Sequence, residues 1–232
     1  MEDRSLFILS LPRSLSSRVF QEVRVALGLR EPVWTTDGEI LNNDRFILHT
    51  GPRADEGLKF TREEEAERCR RITAFLQDAM TPEGFIYKDV VQPFAASAWL
   101  RTKDFPVLKI RRRIEDVAFA MIQAGWLYPA RAFPRASLTE AMLTGLNAAW
   151  KAIESVPGET VEFDDLISSD EALKAAVRRL YPGRVPQGLT VRDDGFERKK
   201  ESILRRRETP LYRELAHQAA ALRGFTPPRP PA

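Results

Sequence analysis

The chain has 232 residues, 43% of them hydrophobic and 30% charged, which fits one soluble globular domain and excludes a globally disordered chain. With 36 basic and 33 acidic residues the net charge is +3, too balanced for a dedicated nucleic-acid binder. The lone cysteine, Cys69, excludes an internal disulfide and a thiolate zinc cage, and two histidines, His49 and His217, argue against a histidine-rich metal site. No apolar run approaches the ~20 residues of a membrane span, and the short run after Arg4 has neither the length nor the small-residue cleavage site of a signal peptide. A cytoplasmic protein without a metal is therefore expected, with no nucleic-acid partner; the oligomeric state is not encoded in any visible pattern.

In chain order, residues 5–11 form a continuous apolar run, the signature of a buried parallel strand, which Pro12 ends. Val19, Phe20, Val23, Ala26 and Leu27 then recur at helical spacing up to Gly28, so the opening is strand, tight loop, helix. Residues 30–60 are irregular and rich in Gly, Pro, Asn and Asp. Thr61 is placed to cap a helix running to about Met80, whose dense charge predicts exposure. Residues 85–91 and 106–111 predict two further strands, separated by a helix from Pro93 to about Thr102. Helices follow over 114–124 and 137–155, a strand at 160–163, and a helix at 170–181. From Gly195 to about Arg223 the pattern is helical, highly charged and interrupted by Pro210. Strands alternating with helices predict an α/β fold, a parallel sheet with helices on both faces. The domain is drawn over residues 1–225, with 226–232 as a Pro-rich disordered tail.

The segment with the most chemistry is Pro12-Arg13-Ser14-Leu15-Ser16-Ser17, between the first strand and the first helix. A helix N-terminus offers free backbone N–H groups and a positive dipole end, the serines add hydroxyls, and Arg13 adds a permanent charge, so the loop suits a phosphate or sulfate. The same residues also fit an ordinary serine-rich helix cap. Two arginine clusters, Arg111–Arg113 and Arg205–Arg207, are either anion sites or solvated basic faces. Trp99, Trp126 and Trp150 occupy apolar helical positions and are expected in the core, whereas Trp34 in the irregular stretch is a candidate to line a pocket.

The run Phe7–Ser17 resembles the 5'-phosphosulfate-binding loop of the sulfotransferases that use 3'-phosphoadenosine 5'-phosphosulfate (PAPS). That loop reads Pro-Arg/Lys-Ser-Gly-Ser/Thr-Thr/Ser after a hydrophobic strand; five of its six positions match here, and Leu15 stands in place of the glycine. Val107–Ala120 resembles the family's 3'-phosphate motif: Arg112 falls at its arginine, Asp116-Val117-Ala118 match, and Ala120 replaces a serine eight residues after the arginine, a loss Arg111 or Arg113 is placed to offset. Glu159–Ile167 is similar to the family's late strand and Tyr-Glu-Asp-Leu turn. The Arg-Lys-Gly cofactor loop near the C-terminus is not visible, Asp194–Lys200 being a loose substitute.

The resemblance implies a P-loop NTPase-like sulfotransferase fold over roughly residues 5–181 and transfer of a sulfuryl group from PAPS to a hydroxyl or amine of a small-molecule or glycan acceptor. It implies that Arg13, Ser14, Leu15, Ser16 and Ser17 hold the 5' end, that Arg112 and Ala120 face the 3'-phosphate, and that Lys88 at the end of the second strand assists transfer. The Thr-His that follows this lysine in cytosolic members is here Asp89-Val90. The base that accepts the acceptor's proton is then to be found among His49, Asp89, Glu39 and Asp55. Two other readings fit the same residues: a P-loop-like kinase-type transferase, and a degenerate, non-catalytic binding protein.

Overall fold

The computed structural model describes residues 4–41, 62–127, 129, 135–184, 188–191 and 196–224. Four strands, β1 (Leu6–Ser10), β2 (Ile86–Asp89), β3 (Val107–Arg111) and β4 (Glu159–Glu162), form one parallel sheet in the order β2-β1-β3-β4. The helices are α1 (Ser16–Leu27), α2 (Arg62–Ala79), α3 (Pro93–Leu100), α4 (Ile114–Gln123), α5 (Leu138–Glu154), α6 (Phe163–Leu166), α7 (Glu171–Leu180), α8 (Phe196–Arg206) and α9 (Pro210–Gly224). The expected α/β class and its parallel sheet flanked by helices are what the chain adopts. No helix among the described residues is long and apolar enough to cross a membrane.

The sheet is covered on both faces because successive strand residues point to opposite sides. Phe7 and Leu9 of β1 face one layer with Tyr87 and Val107, packed by α2, α3, α4, α5 and α9. Leu6 and Ile8 face the other with Ile86, Leu108, Ile110 and Val161, packed by α1 and α7. The charge-dense α2 is not simply exposed as its composition predicts: Ile72, Phe75 and Leu76 form a buried stripe against the first layer. Ser137 caps α5 by accepting from the Glu140 N–H, and the charged C-terminal pattern is interrupted at Pro210 as expected: α8 ends at Arg206, and Pro210 takes the first position of α9, where its missing N–H costs nothing. The segment 42–61, with His49 and Asp55, and the tail 225–232 lie outside the described residues, as do Cys69's side chain and residues 192–195.

The described part of the supposedly irregular stretch, residues 30–41, runs along the free edge of β2. Arg30 bridges Phe85 and Glu39 bridges Lys88, both in parallel sense, and the Ile40 N–H donates to the Lys88 carbonyl. Between them Thr36–Glu39 makes a tight turn through left-handed Asp37 (φ 50) and Gly38 (φ 69), the Asp-Gly pairing such turns favour. Gly38 is obligatory for a second reason: a Cβ there would lie 2.0 Å from the Phe20 ring.

This generates a graded prediction. Gly38→Ala combines the cost of left-handed backbone with overpacking against Phe20 and is expected to lose about 2–4 kcal/mol. Gly28→Ala, equally left-handed but with nothing within 4 Å of the added carbon, should lose only about 1 kcal/mol. Urea unfolding of both variants checks the order; equal losses would remove the steric constraint on the turn.

Candidate anion-binding cleft

The strand order places the topological switch point between β1 and β3: the chain leaves β1 toward β2 and returns on the other side to β3. A cleft of about 600 Å³ opens at the carboxyl end of this junction, large enough for a nucleotide-sized ligand. Its walls include Pro12–Arg18, Asp37, Glu39, Lys88, Arg112, Ala120 and Trp126. From the C-terminal part come Phe163, Ser202, Ile203 and Arg206.

The loop between β1 and α1 is built for close approach. Arg13 (φ 64) and Leu15 (φ 63) are both left-handed, and Leu15 stands at the N-cap of α1 without a side-chain cap bond. The first helical hydrogen bond runs from the Val19 N–H to the Leu15 carbonyl, so the N–H groups of Ser16, Ser17 and Arg18 have no acceptor within the helix. The first turn carries no acidic residue to compete with an anion. Ser14 is fully buried with its hydroxyl 3.5 Å from the Pro12 carbonyl.

Arg112, just beyond β3, is 7% exposed. Its guanidinium donates to the Arg13 carbonyl and stacks 4.2 Å from the centroid of Phe163, while its buried Nε has no hydrogen-bond partner. Burial pushes its pKa down to about 10, against a favourable field from Asp116, so it stays cationic at neutral pH. Its neighbours turn elsewhere. Arg111 pairs with Glu162 at 3.7 Å and Arg113 with Asp164 at 2.8 Å, and neither lines the cleft. The expectation that Arg111 or Arg113 offsets Ala120 is thereby corrected, because carboxylates from β4 and α6 already hold them. Ser202 and Arg206 on α8, the latter from the second arginine cluster, line the same cleft as Ala120. Arg207 of that cluster is structural: it joins Asp116 at 2.7 Å to Asp164 at 3.1 Å and anchors the end of α8.

Lys88, read as a strand-end or surface lysine, is buried at 3% exposure. Its Nζ donates to Ser17 Oγ at 2.8 Å and lies 3.5 Å from Glu39 Oε2. Glu39 also accepts from the Val90 N–H. Its pKa is raised to about 8, first by burial and second by the nearby Asp89, with Lys88 pulling the other way. Asp89 is fully buried on the opposite side of the strand from Lys88. Its carboxylate accepts from the Val91 and Gln92 N–H groups ahead of α3, and its pKa is raised by burial. It lines no part of the cleft, so the expectation that Asp89 faces an acceptor is corrected; of the expected candidates among the described residues, Glu39 does line it.

Two aromatic expectations also change. Trp126 is 44% exposed on the cleft wall, with the Arg13 guanidinium 5.4 Å from its ring centroid, because α4 ends at Gln123 and left-handed Gly125 turns the chain outward. Trp34 does not line the cleft; it packs edge-on against Phe75 of α2 at 5.7 Å. Trp99 and Trp150 are core, and His217 is exposed, as expected.

The raised pKa of Glu39 makes stability depend on pH. The group titrates near 4.5 when unfolded and about 8 when folded. Its contribution is complete below pH 4.5 and is lost as pH rises through 8, where a buried carboxylate must ionise. Glu39→Gln should therefore flatten the fall in Tm between pH 5 and pH 9; an identical slope in both proteins would show that Glu39 titrates normally.

Searches with this chain matched no protein-family model, no curated protein and no solved structure.

Proposed function

We propose that the protein is a sulfotransferase on a P-loop-like fold, transferring a sulfuryl group from PAPS to a hydroxyl or amine of an acceptor. One observation carries the reading: Arg13 after β1, Lys88 on β2 and Arg112 after β3 converge on a single cleft at the switch point of a parallel sheet. These are the three cationic positions the resemblance names, and they come from three separate parts of the chain.

The residues present fit the donor. Free N–H groups at the start of α1 with Ser16 and Ser17 suit its 5' end. Arg112, with a buried Nε lacking a partner, suits its 3'-phosphate, and Ser202 and Arg206 offer the hydroxyl and charge that Ala120 does not. The donor, when bound, supplies an activated sulfuryl group on a phosphate leaving group. Arg13 and Lys88 neutralise charge that builds on the oxygens during transfer, in a site preorganised by the Lys88–Ser17 contact. Glu39, adjacent to Lys88 on the cleft wall, accepts the proton that the acceptor hydroxyl or amine gives up. Trp126 and Asp37 also line the cleft and offer an apolar face and a carboxylate to the acceptor.

Binding and turnover test this separately. 3',5'-Diphosphoadenosine should raise Tm more than adenosine 5'-phosphate, because only the former engages Arg112, and more than ATP with Mg²⁺. Arg13→Ala should weaken that binding by about 1.5–3 kcal/mol, whereas Arg4→Ala, which loses an exposed pair with Asp104, should not. Equal stabilisation by all three nucleotides would remove the 3'-phosphate assignment, and preference for ATP with Mg²⁺ would favour a kinase.

With PAPS and an acceptor panel, kcat/KM should rise with pH up to about 8, following Glu39. Glu39→Gln should lower kcat at least about 100-fold while leaving diphosphoadenosine affinity within a few-fold. A flat pH profile, or full activity in Glu39→Gln, would remove Glu39 as the base; binding without any turnover would leave a binding protein.

A further inference from the structure

The loop position that the resemblance fills with glycine is Leu15, yet the backbone keeps a glycine-like conformation there, φ 63 and ψ 15. A leucine is held in left-handed backbone only where its surroundings over-determine it. Here the surroundings are specific. Leu15 packs on a small apolar cluster of Phe163, Ile167, Phe196 and Ile203, separate from both layers of the main core. Phe196 and Ile203 belong to α8, and Ile203 lines the cleft between Ser202 and Arg206. Among the described residues, none of α8 joins either main layer. Its other strong attachment is Arg207, just past its end, on Asp116 and Asp164. The loop that lines the cleft therefore packs on the same small cluster that seats this helix.

We propose that Leu15 is a positioning residue that couples the anion loop to α8, so that filling the loop with a phosphate- or sulfate-bearing group and seating Ser202 and Arg206 over the cleft are one event. The inference rests on reading the loop as an anion site, but not on the identity of the nucleotide or on sulfuryl transfer. The device has two states. With Leu15 left-handed, its half-buried side chain rests on the cluster that Phe196 and Ile203 of α8 share with Phe163 and Ile167, and the N–H groups of Ser16 and Ser17 converge on the cleft. With Leu15 relaxed to the right-handed region, its Cβ swings out of the cluster and α8 loses that hold. An anion bound to the converging N–H groups interacts with the first state only and so draws the helix in. Glycine at this position adopts the loop conformation without strain but carries nothing to move the helix.

Hydrogen exchange of the α8 amides in the full chain tests this, without ligand and with saturating inorganic pyrophosphate. In Leu15→Gly without ligand, α8 should exchange roughly tenfold faster or more, while β1 and α1 keep wild-type rates. Pyrophosphate should slow α8 exchange several-fold in the wild type and leave it unchanged in Leu15→Gly. Ile203→Ala breaks the same contact from the helix side with the loop intact and should behave like Leu15→Gly, which covers the case of a loop variant that does not fold. Leu15→Met keeps an apolar contact and should behave like the wild type. Unchanged α8 exchange in Leu15→Gly and Ile203→Ala overturns the coupling. So does pyrophosphate that slows α8 equally in wild type and variants, or that has no effect on α8 in the wild type. Because pyrophosphate carries neither adenosine nor a sulfuryl group, loss of the sulfotransferase reading and loss of this coupling are separate results.

Discussion

Arg112 is a guanidinium almost wholly removed from water at the junction of two strands, and burying such a charge is costly unless its donors are met. Part of the cost is offset by the Arg13 carbonyl and the face of Phe163. The hydrogen bond to Arg13 ties the end of β3 to the loop after β1, across the gap that the strand order opens. Phe163 comes from the turn after β4, so the same guanidinium also fixes that turn against the cleft. What it leaves unmet, the buried Nε, is a donor that an anion in the cleft can satisfy. An apolar side chain here would serve stability at less cost, so the open donor is the feature that stability alone leaves without a use.

On the far side of β1 a second buried cation makes a different arrangement. Lys88 is shared between the Ser17 hydroxyl and Glu39, and a second carboxylate, Asp89, sits on the reverse face of the same strand. Burial and the proximity of Asp89 raise Glu39, and the lysine's pull does not cancel them. A carboxyl brought into the neutral range by its setting is poised to exchange a proton with a ligand in the cleft, which an ordinary surface glutamate is not. The turn that carries it is held rigidly: Gly38 is wedged against Phe20, its N–H donates to Glu31, and Asp37 accepts from Gln21. The two sides thus differ in character, with an unmet donor toward Arg112 and a carboxyl titrating near neutrality toward Glu39.

Much of the frame was legible in the chain because it follows from local periodicity. A strand buried on both faces is apolar without alternation, as in residues 6–9, and the Pro12 loop must then turn directly into a helix whose first amides are free. The strand alternation also separates Lys88 from Asp89, a distinction that adjacency in sequence obscures. The remainder depends on partners distant in the chain. Three arginines in a row look alike until Glu162 and Asp164 claim the outer two. Trp126 has the same surroundings in sequence as a core tryptophan, and only the turn at Gly125 exposes it. Glu39 reaches the cleft because residues 30–40 pair with the edge of β2, a non-local pairing with no periodic signal in so short a segment. Ser202 and Arg206 lie some ninety residues beyond Arg112 on a helix whose charge reads as a solvated face.

The two departures from the resembling motifs, Leu15 for glycine and Ala120 for serine, are explained by the same helix. Glycine in such a loop serves to let the backbone take a left-handed turn beside an anion, at the expense of a side chain that packs nowhere. Replacing it with leucine strains the backbone by about 1 kcal/mol, and partial burial of a leucine, whose full burial is worth roughly 1.5–3 kcal/mol, offsets this where an apolar surface is within reach. That surface exists because Phe163, Phe196 and Ile203 meet beside the loop. The side chain of Ala120, 5% exposed, leaves the adjoining wall without a hydroxyl, and α8 supplies Ser202 to the same cleft one residue before the Ile203 that contacts Leu15's cluster. Leucine without α8 would keep only Phe163 and Ile167 of its cluster, and the cleft without α8 would lose the Ser202 hydroxyl. With the helix seated both are accommodated, so the C-terminal helix belongs to the binding loop as much as the residues that adjoin it in sequence.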